Sequence, residues 1–109
     1  MSQMVLMTEY RTRPGKRNEL FALFDRLLAE DAVPGRGFIV WSTSEIDRDS
    51  SYLFEYWNDA DDFAELTTTP QFAEYVAGVD RLVSAEPVTT VTVPRLLRGA
   101  GLGPIEHLE

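Results

Sequence analysis

The sequence contains no cysteine, and its single histidine is His107, close to the C-terminal end. Without cysteine the chain has no disulfide, no thiolate ligand for a metal and no cysteine nucleophile. A Ser-His-Asp triad or a histidine-based metal site would need an imidazole within the main body of the chain, which has none. No glycine-rich phosphate loop follows a predicted strand. The sequence therefore predicts no metal site, and any chemistry is left to carboxylates, tyrosines, tryptophans and arginines.

Basic residues are also scarce, because 10 lysines and arginines stand against 18 aspartates and glutamates, for a net charge of −8. Nucleic acids and anionic membrane surfaces bind basic protein faces, so we expect neither as a partner. No apolar run approaches the roughly 18 residues that span a bilayer. The N-terminus lacks a basic segment followed by an apolar run, so the sequence predicts no signal peptide and a cytoplasmic location.

The spacing of apolar residues predicts one domain over residues 1–94 and a C-terminal tail over residues 95–109. The order of elements is strand, helix, strand, strand, two helices and strand. Strands are expected at 5–11, 37–44, 51–57 and 88–93, and helices at about 16–31, 59–66 and 70–83. The tail is rich in glycine and has little periodicity, and its last residues, Leu108 and Glu109, resemble the start of a vector-derived tag.

The third predicted strand carries large apolar side chains on both faces. Tyr52, Phe54 and Tyr56 share one face, and Leu53, Glu55 and Trp57 share the other. This pattern and the order of elements predict an α+β fold of the ferredoxin-like βαββαβ type, with helices on one face of the sheet. The other face is apolar too, so we expect a homodimer in which two sheets face each other, with Glu9 and Glu55 pointing toward the facing sheet.

Helix boundaries are marked by polar and proline residues. Asn58 is expected to cap the short helix, and Thr69 and Pro70 the long one. Phe72, Tyr75, Val76, Val79, Leu82 and Val83 mark the apolar face of the long helix. Gly78 lies within this helix and indicates either a close contact or a weak point there.

Over residues 4–94 the chain resembles the antibiotic biosynthesis monooxygenase domain family. The resemblance rests on an ordered set of segments: Met7-Thr8-Glu9-Tyr10-Arg11, Arg13-Pro14-Gly15-Lys16, Pro34-Gly35, Phe54-Glu55-Tyr56-Trp57, Phe63-Ala64-Glu65-Leu66 and Thr69-Pro70-Gln71-Phe72. It implies a dimeric α+β barrel of ferredoxin-like subunits. Some family members oxidise aromatic polyketides to quinones without metal or flavin, and others open the haem ring.

The sequence departs from the family at several positions. Many members carry histidines where this chain has Glu65 and Gln71. Haem-degrading relatives use an asparagine, a tryptophan and a histidine where this chain has Tyr10, Glu65 and Val76. The resemblance therefore implies a cofactor-independent monooxygenase that oxidises a small aromatic, polyketide-like or quinol-like substrate with O₂, and not a haem-degrading enzyme.

Such a reaction needs a general base with a raised pKa in an apolar, aromatic-lined pocket. Glu65 is the first candidate, because a carboxylate among Phe63, Leu66 and Tyr75 would be partly desolvated. The alternative is a solvated surface glutamate. Tyr10 and Tyr75 complete the catalytic candidates.

The candidates for substrate binding are Trp41, Tyr56, Trp57, Asn58 and Phe72. The aromatic members could stack on a ligand, but they could also be core or interface residues, and Asn58 could be only a helix cap. Two other functions stay open: a polyketide cyclase or isomerase in the same pocket, and a non-catalytic ligand-binding dimer. A buried carboxylate or tyrosine in an enclosed aromatic pocket favours an enzyme. A cavity filled by Tyr10, Trp41 and Tyr75 favours the binding protein.

Overall fold

A computed structural model describes residues 2–30 and 36–96 of the chain. The elements are β1 Met4–Arg11, α1 Arg17–Glu30, β2 Arg36–Thr43, β3 Ser50–Trp57, α2 Ala60–Leu66, α3 Pro70–Leu82 and β4 Val88–Thr92. The predicted order and the ferredoxin-like α+β class are confirmed. The predicted turn at Pro34-Gly35 and the tail from residue 97 onward lie outside the described residues, and the domain boundary after residue 94 stays a prediction.

The four strands form one antiparallel sheet in the order β2-β3-β1-β4. β2 and β3 form an antiparallel hairpin, and Asp47 organises its turn. Its carboxylate accepts hydrogen bonds from Ser50 Oγ at 2.8 Å and from Arg11 at 3.1 Å. The Arg17 guanidinium of α1 donates to three backbone carbonyls of the same turn. These bonds hold the hairpin against the start of the helix layer.

Helices α1 and α3 cover one face of the sheet, here called the helix face. Leu20, Phe24 and Leu27 of α1 are buried against Tyr75 and Val79 of α3 and against residues of β1 and β3. This burial follows from the apolar spacing of both helices, which places these side chains on one side of each helix.

The two helices are antiparallel and very close at one point. Arg13 N donates to Leu82 O at 2.8 Å, so the start of α1 lies beside the end of α3. A Cβ on Gly78 would lie 2.5 Å from Cδ2 of Leu23, so a larger residue at position 78 would force the Leu23 side chain to move. The predicted close contact at Gly78 is confirmed. Val76, by contrast, was expected on the buried face of α3 but is 45% exposed. The buried stripe of the helix follows Tyr75, Gly78 and Val79 and does not extend to Val76.

The two faces of β3 are separated as the alternation predicted. Leu53, Glu55 and Trp57 lie under the helices, whereas Tyr52 and Phe54 are exposed on the opposite side. The orientation predicted for Glu55 is wrong, because Glu55 shares the face of Leu53 and Trp57 and is only 6% exposed. Glu9 does lie on the opposite side and is exposed.

Helix α2 begins one residue later than the cap prediction required. Asp59, with φ −141° and ψ 119°, is the N-cap, and its Oδ1 accepts from Asp61 N at 3.0 Å. Asn58 is exposed and is not the cap, so that prediction is wrong. The first helical residue, Ala60, is tied to the N-terminal segment by a 2.7 Å bond to Ser2 O. At α3 the prediction is confirmed, because Thr69 Oγ1 accepts from Phe72 N at 3.2 Å.

The second face of the sheet, here called the open face, carries exposed apolar side chains. They are Met7, Val40, Tyr52, Phe54 and Val88. They surround a shallow hollow of about 420 Å³. Within residues 2–30 and 36–96 no helix covers this face. The homodimer predicted from it stays a prediction.

Candidate functional site

A small, partly enclosed cavity of about 100 Å³ lies between the helix face of the sheet and the three helices. One end is polar, where Tyr10, Glu55 and Tyr75 meet. Thr8 and Thr89 add two hydroxyls, 3.1 Å apart, and the rest of the wall is apolar, with Phe24, Phe63 and Phe72 as its aromatic part. The cavity therefore combines a small group of polar atoms with walls that exclude water.

Tyr10 and Tyr75 form a hydrogen-bonded pair at the polar end. Tyr10 comes from β1 and Tyr75 from α3, and their hydroxyl oxygens are 2.8 Å apart. Burial raises the pKa of Tyr10 to about 12, and the charge of Glu55 adds to that effect. The pKa of Tyr75 is also raised, first by burial and then by its neighbours Tyr10 and Glu55. Both hydroxyls are therefore neutral at physiological pH and act as hydrogen-bond donors, not as bases.

Glu55 supplies the carboxylate of the cavity. It lies on β3 between Leu53 and Trp57, is almost completely buried, and is close enough to both tyrosines to raise their pKa values. Among the described residues it is the only carboxylate that lines this cavity. It is consequently the candidate for a general base in this cavity.

The structure places Glu65 elsewhere. Phe63 and Leu66 of α2 point into the cavity, but Glu65 is exposed on the outer side of the helix. Residues two positions apart on a helix lie about 200° apart, so a helix that directs Phe63 inward directs Glu65 outward. The expected desolvation of Glu65 is therefore wrong. The strand alternation groups Glu55 with Leu53 and Trp57, but it does not show that the helices cover this face.

Two predicted binding residues stand behind the cavity wall. Trp41 stacks on Tyr10 at a ring distance of 5.7 Å and on Phe24 at 5.4 Å. Trp57 is fully buried and packs edge-on against Phe63 at 5.3 Å. Neither indole lines the cavity, so each supports a wall residue.

The remaining predicted residues divide between the cavity and other places. Phe72 lines the cavity and contacts Tyr75 at a ring distance of 6.2 Å. Tyr56 stacks on Phe38 on the opposite side of the sheet, and its hydroxyl accepts a hydrogen bond from Gln3. Asn58 is exposed. The structure thus brings together Tyr10, Tyr75 and Phe72, adds Glu55, and separates Tyr56, Asn58 and Glu65 from them.

Within the described part of the chain, no three histidine, cysteine, aspartate or glutamate side chains gather in a group that could hold a metal ion. In the same residues, every helix is too short or too polar to cross a bilayer.

Comparison with known proteins places the chain among small oxygenase-like domains. Residues 3–78 match the antibiotic biosynthesis monooxygenase family. A proposed antibiotic biosynthesis monooxygenase from Chloroflexus aurantiacus has a similar structure, with a TM-score of 0.78 and 24% identity over 94% of this chain and 100% of that one. Rv0793 from Mycobacterium tuberculosis superposes with a TM-score of 0.76 and 26% identity, covering 92% of this chain and 100% of its own.

SnoaB from Streptomyces nogalater, a cofactor-independent oxygenase, also has this fold. Its TM-score is 0.77 at 17% identity, over 89% of this chain and 97% of SnoaB. No curated protein matches the sequence.

Proposed function

The chain belongs to the antibiotic biosynthesis monooxygenase family, and we propose that it is a cofactor-independent monooxygenase that oxidises a small phenol with a free para carbon, using O₂. The observation that carries this proposal is the buried carboxylate of Glu55 beside two neutral tyrosines in a cavity with aromatic walls. A buried acid of this kind is costly to keep in a protein core, and perturbed polar groups of this kind concentrate at functional sites.

The reaction uses the electrons of the substrate itself. Glu55 removes the phenolic O–H proton, and the electron-rich anion adds O₂ at its para carbon. The returned proton completes a hydroperoxide. Loss of the para C–H proton then forms the second C=O bond, while the O–O bond breaks and its electron pair leaves with hydroxide. Proton and hydroxide give water, so phenol and O₂ are converted to quinone and water.

Each described group has a role in these steps. Glu55 is the general base, an effect worth about 10²–10⁴ in rate. Tyr10 and Tyr75 donate hydrogen bonds to the phenolate oxygen, because their raised pKa values keep both hydroxyls protonated. Phe63 and Phe72 exclude water, which would otherwise protonate the anion and the peroxide.

The volume of the cavity limits the substrate. At about 100 Å³ it is smaller than the roughly 150 Å³ of an engineered cavity that holds benzene. A single ring therefore needs a modest widening of the walls, and a fused polycyclic system needs much more. This favours a substrate of one ring over the larger polyketides.

The test is O₂ uptake by chelator-treated protein with three trial substrates that each carry a C–H at the reacting carbon: an anthrone, 1-naphthol and 1,2,3-trihydroxybenzene. We expect enzyme-dependent uptake with quinone formation, and a fall in kcat of about 100-fold or more in Glu55→Gln. Glu65→Gln is the matched control, since it makes the same change on the exposed side of α2 and should stay within about twofold of the parent rate. Equal rates for the parent and Glu55→Gln, or no uptake above the protein-free rate with any substrate, would contradict the proposal.

A non-catalytic ligand-binding protein is the second candidate. Tyr10 and Tyr75 satisfy each other's hydroxyls, and together with Trp41 they fill much of the space under the helices. That observation favours a packed core over an open reaction chamber. Recovery of an unchanged bound phenol from the O₂ experiment would support this candidate. A cyclase or isomerase would instead change the phenol without consuming O₂.

We also propose that a second copy of the chain covers the open face. The apolar residues of that face form a continuous surface around the hollow of about 420 Å³, and an identical sheet offers a matching apolar surface. The assembly would be a homodimer with two separate cavities, one under each helix layer.

A further inference from the structure

A cleft between α1 and α3 lies directly outside the cavity. It contains a depression of about 290 Å³. Leu27 of α1 and Tyr75 of α3 line this depression, and the same two residues line the inner cavity. They are therefore the wall that separates the cavity from the outer surface of the helix layer.

Two arginines flank this cleft, one from each helix. Arg26 of α1 and Arg81 of α3 line the depression of about 290 Å³ and also a second one of about 430 Å³. The two depressions meet where Leu23 packs on Gly78, so the arginines stand on either side of the narrowest point of the cleft. Both positions follow from the antiparallel packing of the helices.

Both guanidinium groups are uncommitted within the described part of the chain. Neither forms an ion pair or a hydrogen bond there, although Glu74 lines the first depression and Glu19 the second. Lys16 already forms an ion pair with Glu19 at 3.0 Å. In a chain with a net charge of −8, two such cations at one cleft are a local site of attraction for an anion.

We propose that the substrate of the proposed monooxygenase carries a carboxylate that binds between Arg26 and Arg81, while its phenol ring enters the cavity between Leu27 and Tyr75. Guanidinium groups bind carboxylates through paired N–H donors, which fixes orientation as well as charge. Because Leu27 and Tyr75 line both the cleft and the cavity, one ligand that passes between them can contact the arginines and the cavity at the same time. This inference rests on the proposed function, because it assumes that the cavity receives a phenol.

Entry of the ring between Leu27 and Tyr75 requires a change at this part of the wall. Tyr75 donates to or accepts from Tyr10, so its hydroxyl must leave that bond, or Leu27 must change rotamer, before a ring can pass between them. Once the ring is inside, the Tyr75 hydroxyl can donate its hydrogen bond to the phenolate oxygen and no longer to the Tyr10 oxygen. The carboxylate then holds the other end of the substrate outside the apolar walls, where its charge is solvated and paired.

The test measures binding without turnover. Calorimetric titration under nitrogen compares 3-(3-hydroxyphenyl)propionate with its neutral amide. We expect the acid to bind at least tenfold more tightly than the amide to the parent protein. Arg26→Gln/Arg81→Gln should remove that preference. The matched control, Arg13→Gln/Arg48→Gln, removes two charges from exposed positions outside the cleft and should keep it.

Three results would overturn the inference. They are equal affinity of the acid and the amide for the parent protein, an unchanged preference in the cleft variant, and equal affinity for propionate without a ring. The last would identify an anion site that has no connection to the cavity. The titration under nitrogen measures binding independently of turnover. If the protein binds the acid selectively here but consumes no O₂ in the uptake experiment, the monooxygenase proposal is wrong and the carboxylate site is retained.

Discussion

The two faces of the sheet differ in how their polar and apolar groups are arranged. On the helix face, the polar groups Tyr10, Glu55 and Tyr75 are buried together and surrounded by packed rings. On the open face, Tyr52 and Phe54 expose their rings with no covering helix among the described residues. One face thus holds a group of buried polar side chains inside an apolar layer, and the other is an apolar surface suited to a partner.

Strand β3 supplies side chains to both faces of the sheet. Side chains of β3 alternate between the faces, so neighbours in sequence serve different purposes. Leu53 and Glu55 build the core and the cavity, whereas Tyr52 and Phe54 build the predicted dimer surface. An apolar residue on β3 therefore contributes to folding or to assembly according to the face of the sheet on which its side chain lies. Variants at matched positions can separate these contributions.

The largest expected difference concerns folding. Leu53→Ala removes a fully packed side chain from the helix face and should lower the free energy of unfolding by about 2–5 kcal/mol. Val40→Ala, on the open face, should lower it by less than about 1 kcal/mol, because Val40 is half exposed within one subunit. Urea unfolding at low protein concentration checks both values. Equal losses would mean that the two faces are equally packed, which would break the comparison.

The next effect concerns assembly. Phe54→Asp places a charge in the centre of the open face and should raise the dimer dissociation constant at least about 30-fold, the equivalent of a 2 kcal/mol interface residue. Phe21→Asp is the control, because Phe21 is a similarly exposed phenylalanine on α1, 46% against 37% for Phe54. Sedimentation velocity measures both. A monomeric parent protein, or dimers equally tight in both variants, would reject the open face as the interface.

Much of the fold could be predicted from the sequence. The apolar periodicity of α1 and α3, the Thr69-Pro70 start of α3 and the alternation of β3 each depend on local spacing. Spacing of this kind is preserved in the folded chain, so the element order and the ferredoxin-like class followed from it.

The candidate site was predictable only in part. Tyr10, Tyr75 and Phe72 were identified, but Glu65 was chosen in place of Glu55, since the pattern shows which residues share a face and not which face the helices cover. The start of α2 was misplaced for a related reason. Asn58 and Asp59 are both good caps, and the choice depended on the bond from Ala60 to Ser2, which joins residues distant in sequence.

The tyrosine pair Tyr10 and Tyr75 makes the free energy of unfolding depend on pH. This effect is the smallest of the set at neutral pH, and it tests the buried polar groups of the helix face directly. The folded chain keeps the Tyr10 proton up to about pH 12, whereas an unfolded chain releases it near the ordinary pKa of 10.0. The stabilisation is therefore complete below pH 10 and is lost as the pH rises toward 12, at about 1.4 kcal/mol per pH unit for one group. Tyr75, whose pKa is also raised, adds in the same direction.

Tyr10→Phe/Tyr75→Phe removes both hydroxyls at once, so neither is left buried without its partner. Its unfolding free energy should match the parent closely at pH 8 and fall less steeply between pH 10 and 11.5, as measured by urea unfolding across that range. Tyr52→Phe removes a hydroxyl from the open face and should retain the full slope of the parent, because Tyr52 is exposed within the subunit. Parallel slopes for the parent and the double variant would show that the pair at the polar end of the cavity does not hold its protons as its burial requires. The two tyrosines would then be as open to water as Tyr52, and the contrast between the faces would be lost at the cavity itself.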